Sequence, residues 1–131
     1  MRQQIANTMK SKLPLIALLL TALAVTLYAE SSITADDAAK KLKAGAVLVD
    51  VRTVEEYASN HLAISTNIQL DTIKTGITNV AHDKSAVVLL HCRSGRRSGI
   101  AEKELHELGY TNVFNIGSYE QAEAVVKTKA N

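Results

Sequence analysis

Short apolar runs and segments of helical spacing alternate along most of this chain, and each change of period marks an element boundary. Ile33-Thr34-Ala35-Asp36-Asp37 reads as a hydrophobic staple, an N-cap and an acidic first turn, so a helix is expected through Leu42 with its stop near Gly45. Ala46-Val47-Leu48-Val49-Asp50-Val51 is a continuous apolar run of the kind a buried strand shows. Thr53-Val54-Glu55-Glu56 has the capping-box spacing and predicts a short helix through Tyr57. Asn67-Ile68-Gln69-Leu70 alternates as a short strand, and Asp71 to Val80 has room for one or two weak helical turns. Ala86 to His91 is another buried strand, Ser98 to Leu108 a helix closed by Gly109, Asn112 to Ile116 a further strand, and Tyr119 to Lys127 a terminal helix.

Strands alternating with helices predict an α/β domain whose central sheet is mainly parallel and flanked by helices. In open sheets of this kind a ligand lies outside the carboxyl ends of the strands. Asp50 and Cys92 both fall at such ends, and Gly117-Ser118-Tyr119 follows a third. Polar groups from distant segments should therefore meet at one rim.

At 131 residues the chain has the length of one domain with an appendage. Arg2, Lys10 and Lys12 lead into Leu13 to Tyr28, an apolar stretch interrupted only by Thr21 and Thr26. That pattern predicts a signal peptide over residues 1–29 and a folded domain over residues 30–131. Leu27 is large for the third position before a cut after Ala29, while Ala22-Leu23-Ala24 offers the small-x-small pattern. An uncleaved N-terminal membrane anchor is the alternative. The expected localisation is periplasmic or otherwise exported, or membrane-anchored facing the exterior, with a membrane met only through the N-terminal segment.

Removing that segment changes the charge. All 13 acidic residues and 12 of the 15 Lys plus Arg lie from Glu30 onward, a net of −1 with His neutral. The basic balance belongs to the leading segment, so no nucleic-acid partner is expected. With no Trp and one Phe, stacking platforms for bases are also scarce.

Cys92 is the only cysteine, which excludes an internal disulfide, and an exposed single thiol in an exported protein needs a reason. It ends a strand, precedes the polar run Arg93-Ser94-Gly95-Arg96-Arg97, and is followed by a helix. Backbone N–H groups and the helix dipole converge at such a place, favour an anion and lower a thiol's pKa. A buried structural cysteine is the ordinary alternative, and three arginines within five positions after the thiol argue against it. Cys92 is thus the candidate nucleophile. Arg96 and Arg97 are candidates to bind an anionic donor, unless one points to solvent or pins the loop to a carboxylate, and Arg93 is a further candidate. Gly95 suits a positive φ that would turn the loop amides inward. Ser98 reads as the cap of the following helix, its hydroxyl near the loop. By strand alternation His91 faces away from Cys92. Four scattered histidines and one cysteine have no metal-ligand spacing, so no metal is expected and nothing calls for an organic cofactor.

Two motifs resemble one family. Leu48-Val49-Asp50-Val51-Arg52-Thr53-Val54-Glu55-Glu56-Tyr57 is similar to the first signature of rhodanese-like domains, and Cys92-Arg93-Ser94-Gly95-Arg96-Arg97 to their six-residue active-site loop. Asn60-His61-Leu62 stands where the family has Gly-His-Ile, and Gly109-Tyr110 through Gly117 resembles its closing strand. The resemblance covers about residues 33 to 120. It is nearest to the small exported single-domain sulfurtransferases of the phage-shock type. It implies transfer of sulfane sulfur from a donor such as thiosulfate, or a persulfide, to cyanide or a thiol acceptor. The carrier would be a Cys92 persulfide, with loop amides and side chains from Arg93 to Arg97 binding the donor by ping-pong kinetics. It also implies that Asp50 and Arg52 brace the rim, although a salt bridge between sheet-edge residues describes them equally well, and that His61 is structural.

Three departures stand out: Asn60, Ala63-Ile64-Ser65 in place of Pro-Gly, and Gly117-Ser118-Tyr119 where Gly-Gly-Trp is common. They leave a low-turnover sulfur-carrier or sensing module as an alternative function. Phosphatase or arsenate reductase chemistry is disfavoured, because the position that would hold its loop arginine is Ser98.

Overall fold

A computed structural model of the chain describes residues 33–130; the expected leader, residues 1–29, lies outside them. The elements are α1 (Ala35–Lys43), β1 (Val47–Asp50), α2 (Val54–Ser59), β2 (Ser65–Asn67), α3 (Ile73–Gly76), β3 (Val88–His91), α4 (Arg96–Glu107), β4 (Val113–Asn115) and α5 (Tyr119–Ala130). Short 3-10 turns at Leu70–Thr72 and Ile77–Asn79 flank α3.

Local rules place most boundaries. Thr34 caps α1, its Oγ1 accepting the Asp37 N–H at 3.1 Å. Thr53 caps α2 in a full capping box, with the Glu56 N–H on Thr53 Oγ1 and the Thr53 N–H on Glu56 Oε2. α4 ends in a Schellman turn: Gly109, at φ 94°, donates to His106 O, and Tyr110 to Leu105 O.

The four strands form one parallel sheet in the order β2-β1-β3-β4. The central strands β1 and β3 are covered on both faces, which is why they read as unbroken apolar runs rather than alternating ones. Val49, Val51, Val88, Leu90 and Val113 face Ile73, Ile77, Ala101 and Leu105 of α3, its following turn and α4. Leu48 and Leu89 face Ala38, Ala39 and Leu42 of α1 and Ala122 and Val125 of α5. Burying each of these large aliphatic side chains stabilises by roughly 1.5–3 kcal/mol, so the four-residue strands β1 and β3 hold because their side chains are buried on both sides.

The clearest differences from expectation lie at β2, α4 and α5. The strand expected at Asn67–Leu70 lies instead at Ser65–Asn67, paired with Leu48 to Asp50 of β1. Ile68 still enters the core, with its N–H on Asp50 O, but the chain then turns into a 3-10 helix. α4 begins at Arg96 rather than Ser98, two residues early, because Gly95 already adopts the left-handed N-cap conformation at φ 93°. Ser98 is therefore not the cap but the third residue of the helix. α5 also runs on to Ala130 instead of ending at Lys127.

Candidate active site

β1 and β3 pair in register so that Asp50 lies beside His91, the last residue before Cys92. On the other side of β3, Leu90 pairs with Asn115, and the Cys92 N–H donates to Gly117 O at 3.2 Å. Ser94 forms an antiparallel bridge with Ser118. The ends of three strands thus bring Asp50, Cys92 and the Gly117-Ser118-Tyr119 turn to one rim, as the topology requires.

The loop from Cys92 to Gly95 closes tightly because α4 starts at once. The Gly95 N–H donates to Cys92 Sγ at 3.0 Å, and the Ser98 hydroxyl lies 3.5 Å from the same sulfur. Burial acts to raise the thiol's pKa. The Ser98 hydroxyl and the backbone N–H groups of Ser98, Ser94 and Gly95 outweigh it, so the thiol is shifted down from its ordinary value. The start of α4 adds its dipole to these N–H groups. These donors stabilise a thiolate, or any other anion on that sulfur. The expectation of an exposed thiol is corrected: Cys92 is 1% exposed, at the floor of the loop and against the α3/α4 core. The loop residues and α4 cover it.

The arginines divide. Arg97 donates through both terminal nitrogens to Glu56, at 2.7 and 2.9 Å, so of the readings open to it the pin to a carboxylate is the one it adopts. That carboxyl is held at about 2 by the Arg97 fork and by the Thr53 N–H. Arg97 also lies close enough to Cys92 for the sulfur to help hold its guanidinium charged. Arg93 and Arg96 are exposed at the loop and form no ion pair among the described residues.

Asp50 and Arg52 meet each other. Arg52 Nε donates to both Asp50 oxygens at 3.0 Å, and Nη2 donates to Asp50 Oδ2 and to Asn60 O, both at 2.7 Å. The pair is buried, and its side-chain hydrogen bonds run within the β1 end and to Asn60, not to the nucleophile loop. His91 is fully buried beside it, Nε2 standing 3.7 Å from Asp50 Oδ2, and burial pushes the imidazole below its usual range. The Tyr119 ring packs edge-on to His91 and carries the Arg52 guanidinium on its face at 4.9 Å. His61 stacks on Tyr57 and hydrogen-bonds its carbonyl. A cleft of about 440 Å³ opens beside Arg97, between Thr53, Gln69, Lys74 and Glu104. Among the described residues, no group of three or more His, Cys, Asp or Glu could hold a metal ion.

Two site residues escape a reading from sequence. Glu56 has a complete local explanation in the capping box, so nothing in its neighbourhood signals the second role of holding Arg97. Asn115 reads as an ordinary strand residue. Its only flag is a polar side chain at the carboxyl end of a buried strand, next to a glycine turn.

Residues 34–124 match the model of the rhodanese-like domain family. Thiosulfate sulfurtransferase PspE of Escherichia coli strain K12 is 41% identical over 69 residues, 53% of this chain and 66% of that one, just short of two thirds of its length. Thiosulfate sulfurtransferase GlpE of Pseudomonas entomophila is 34% identical over 77 residues, 58% of this chain and 69% of that one. A solved structure described as rhodanese with anions from E. coli superposes with a TM-score of 0.57 at 36% identity, over 59% of this chain and 91% of that chain. With its parallel sheet, its strand–loop–helix around a lone cysteine and a family match across most of its length, the chain belongs to the rhodanese-like domain family.

Proposed function

We propose that this chain is a rhodanese-type thiosulfate sulfurtransferase working through a persulfide on Cys92. The observation that carries the reading is the Gly95 N–H on Cys92 Sγ at 3.0 Å, at the head of α4, which stabilises an anion on that sulfur. The names of the relatives support the same activity. The Cys92 thiolate attacks the outer sulfur of thiosulfate, the S–S bond breaks, and sulfite leaves with the bonding pair. A nucleophilic acceptor, cyanide or a thiolate, then takes the terminal sulfur and returns Cys92 as thiolate. Two substitutions at one sulfur make the kinetics ping-pong. Arg93 and Arg96 draw in the anionic donor, and the amides from Arg93 to Arg97 hold it. The leading segment is proposed to carry the domain to the periplasm or to anchor it facing outward.

The tight loop disfavours phosphate or arsenate chemistry. Ser98 occupies the position of the anion-binding arginine that such a loop needs, and its hydroxyl is engaged by neighbours. One observation favours a second reading, a sulfur carrier or sensor of low turnover: the sulfur is covered, so exchange waits on loop movement.

Intact mass after thiosulfate and then after cyanide tests the proposal. A gain of one sulfur, removed by cyanide and missing in Cys92→Ser, supports the cycle. An unmodified Cys92 overturns it. Loading without steady turnover favours the carrier.

A further inference from the structure

One carboxamide ties together the parts that surround the sulfur. Asn115 Oδ1 accepts the Ser98 hydroxyl at 2.7 Å and the Gly117 N–H at 2.9 Å, while its Nδ2 donates to Gly95 O at 3.0 Å. The amide orientation is fixed by these neighbours, since a backbone N–H can only donate and a carbonyl can only accept. The Asn115 N–H is itself held by Glu102 Oε1 of α4 at 3.0 Å.

Ser98 has one hydroxyl proton and three acceptors within reach: Asn115 Oδ1 at 2.7 Å, Gly95 O at 3.1 Å and Cys92 Sγ at 3.5 Å. The neutral thiol is a weak acceptor, so the short contact to Asn115 wins. A thiolate or persulfide anion makes the bond charge-assisted, about twice as strong, and the proton turns to sulfur. We propose that Asn115 is a positioning residue for Cys92, holding the Ser98 hydroxyl while the sulfur is neutral and releasing it when the sulfur becomes an anion. The proposal rests on the sulfurtransferase reading for its purpose, though not for its geometry.

The other charged groups near the thiol are few. Arg97 and its partner Glu56 stand on the α2 side, Asp50, Arg52 and His91 lie at the ends of β1 and β3, exposed Arg93 and Arg96 flank the loop, and Glu102 of α4 holds the Asn115 N–H. None of them touches the Asn115 carboxamide.

The test is the pH dependence of Cys92 alkylation by iodoacetamide, an uncharged probe, on the full chain. Asn115→Asp keeps the size, grips the hydroxyl permanently and adds a negative charge near the sulfur, at the cost of the Nδ2 donor to Gly95 O. It should move the alkylation midpoint up by roughly one pH unit or more. Asn115→Ala removes the competing acceptor without charge and should lower the midpoint below that of the natural protein. If both variants raise the midpoint equally, Asn115 is only a strut for the loop and the proposal fails. If Asp does not move it, the proposal fails as well. Should Asn115→Asp not fold, the Ala arm decides alone, a fall supporting the proposal and an unchanged or raised midpoint overturning it. Thiosulfate turnover of the natural protein is measured in parallel. Its absence, with the midpoints as expected, removes the sulfurtransferase reading and leaves the positioning role standing.

Discussion

The Tyr119 hydroxyl donates a hydrogen bond to Asn60 Oδ1 at 3.2 Å, joining two positions that depart from the usual family pattern. They lie 59 residues apart and meet over the Asp50–Arg52 pair, whose guanidinium is bonded to Asn60 O and rests on the Tyr119 ring.

Tyr119→Phe should therefore be mild for the fold and visible in acceptor choice. Loss of one exposed hydrogen bond costs about 0.5–1.5 kcal/mol, and the ring contacts with Arg52 and His91 survive. Sulfur loading from thiosulfate should stay unchanged, while the relative rates with cyanide and with a bulkier thiol shift. Stopped-flow measurement of each half-reaction separates the two steps, and a slowed loading step would move Tyr119 to the donor side.

Glu56 gives a prediction in pH. Its carboxyl titrates at about 2 in the folded chain against an ordinary 4.5, first because of the Arg97 hydrogen bonds and then the Thr53 N–H. A depressed folded value means that the stabilisation is complete above the unfolded value and is lost as pH falls through the folded one. Thermal unfolding should show Tm dropping between about pH 5 and pH 2. Glu56→Gln should flatten that slope and cost about 1 kcal/mol at neutral pH, the pair being partly exposed. An identical slope in both proteins would assign the acid loss to other carboxylates.

Arg96 and Arg97 should separate kinetically. Arg96 is exposed and unpaired among the described residues, so Arg96→Ala is expected to raise KM for thiosulfate about fivefold, roughly 1 kcal/mol, with little change for an uncharged donor. Arg97 is engaged by Glu56, so Arg97→Ala should lower Tm and weaken both donors alike. Steady-state kinetics with the two donors, beside thermal unfolding, checks both. A selective thiosulfate defect in Arg97→Ala would mean that the guanidinium leaves Glu56 to bind the donor.

The element order, the helix caps at Thr34 and Thr53, the turn at Gly109 and the placement of Cys92 between a strand and a helix were all legible along the chain. Each depends on a few adjacent residues: a side chain able to accept a nearby N–H, a glycine able to take positive φ, or an apolar run long enough to bury a strand. The same locality explains the errors at the edges. Whether Ser65 or Gln69 belongs to a strand depends on which of them pairs with β1, and local alternation carries no record of that.

The site divides along the same line. The nucleophile, the flexible glycine and the run of arginines are chemistry that residue type alone announces. Folding chose their partners. Glu56 reaches Arg97 across 41 residues, Asn115 reaches Gly95 and Ser98 across 20 and 17, and Tyr119 finds Asn60 across 59. Strand order brings these segments together, and the register of β3 against β1 and β4 decides which side chains stand within 3 Å at the rim. Burial of the thiol follows from the same packing, since a cysteine after a strand can end in solvent or beneath a loop. The local sequence therefore specifies a candidate thiolate, while only the three-dimensional packing supplies the hydrogen-bond donors that stabilise it, because hydrogen bonds and ion pairs form between neighbours in space.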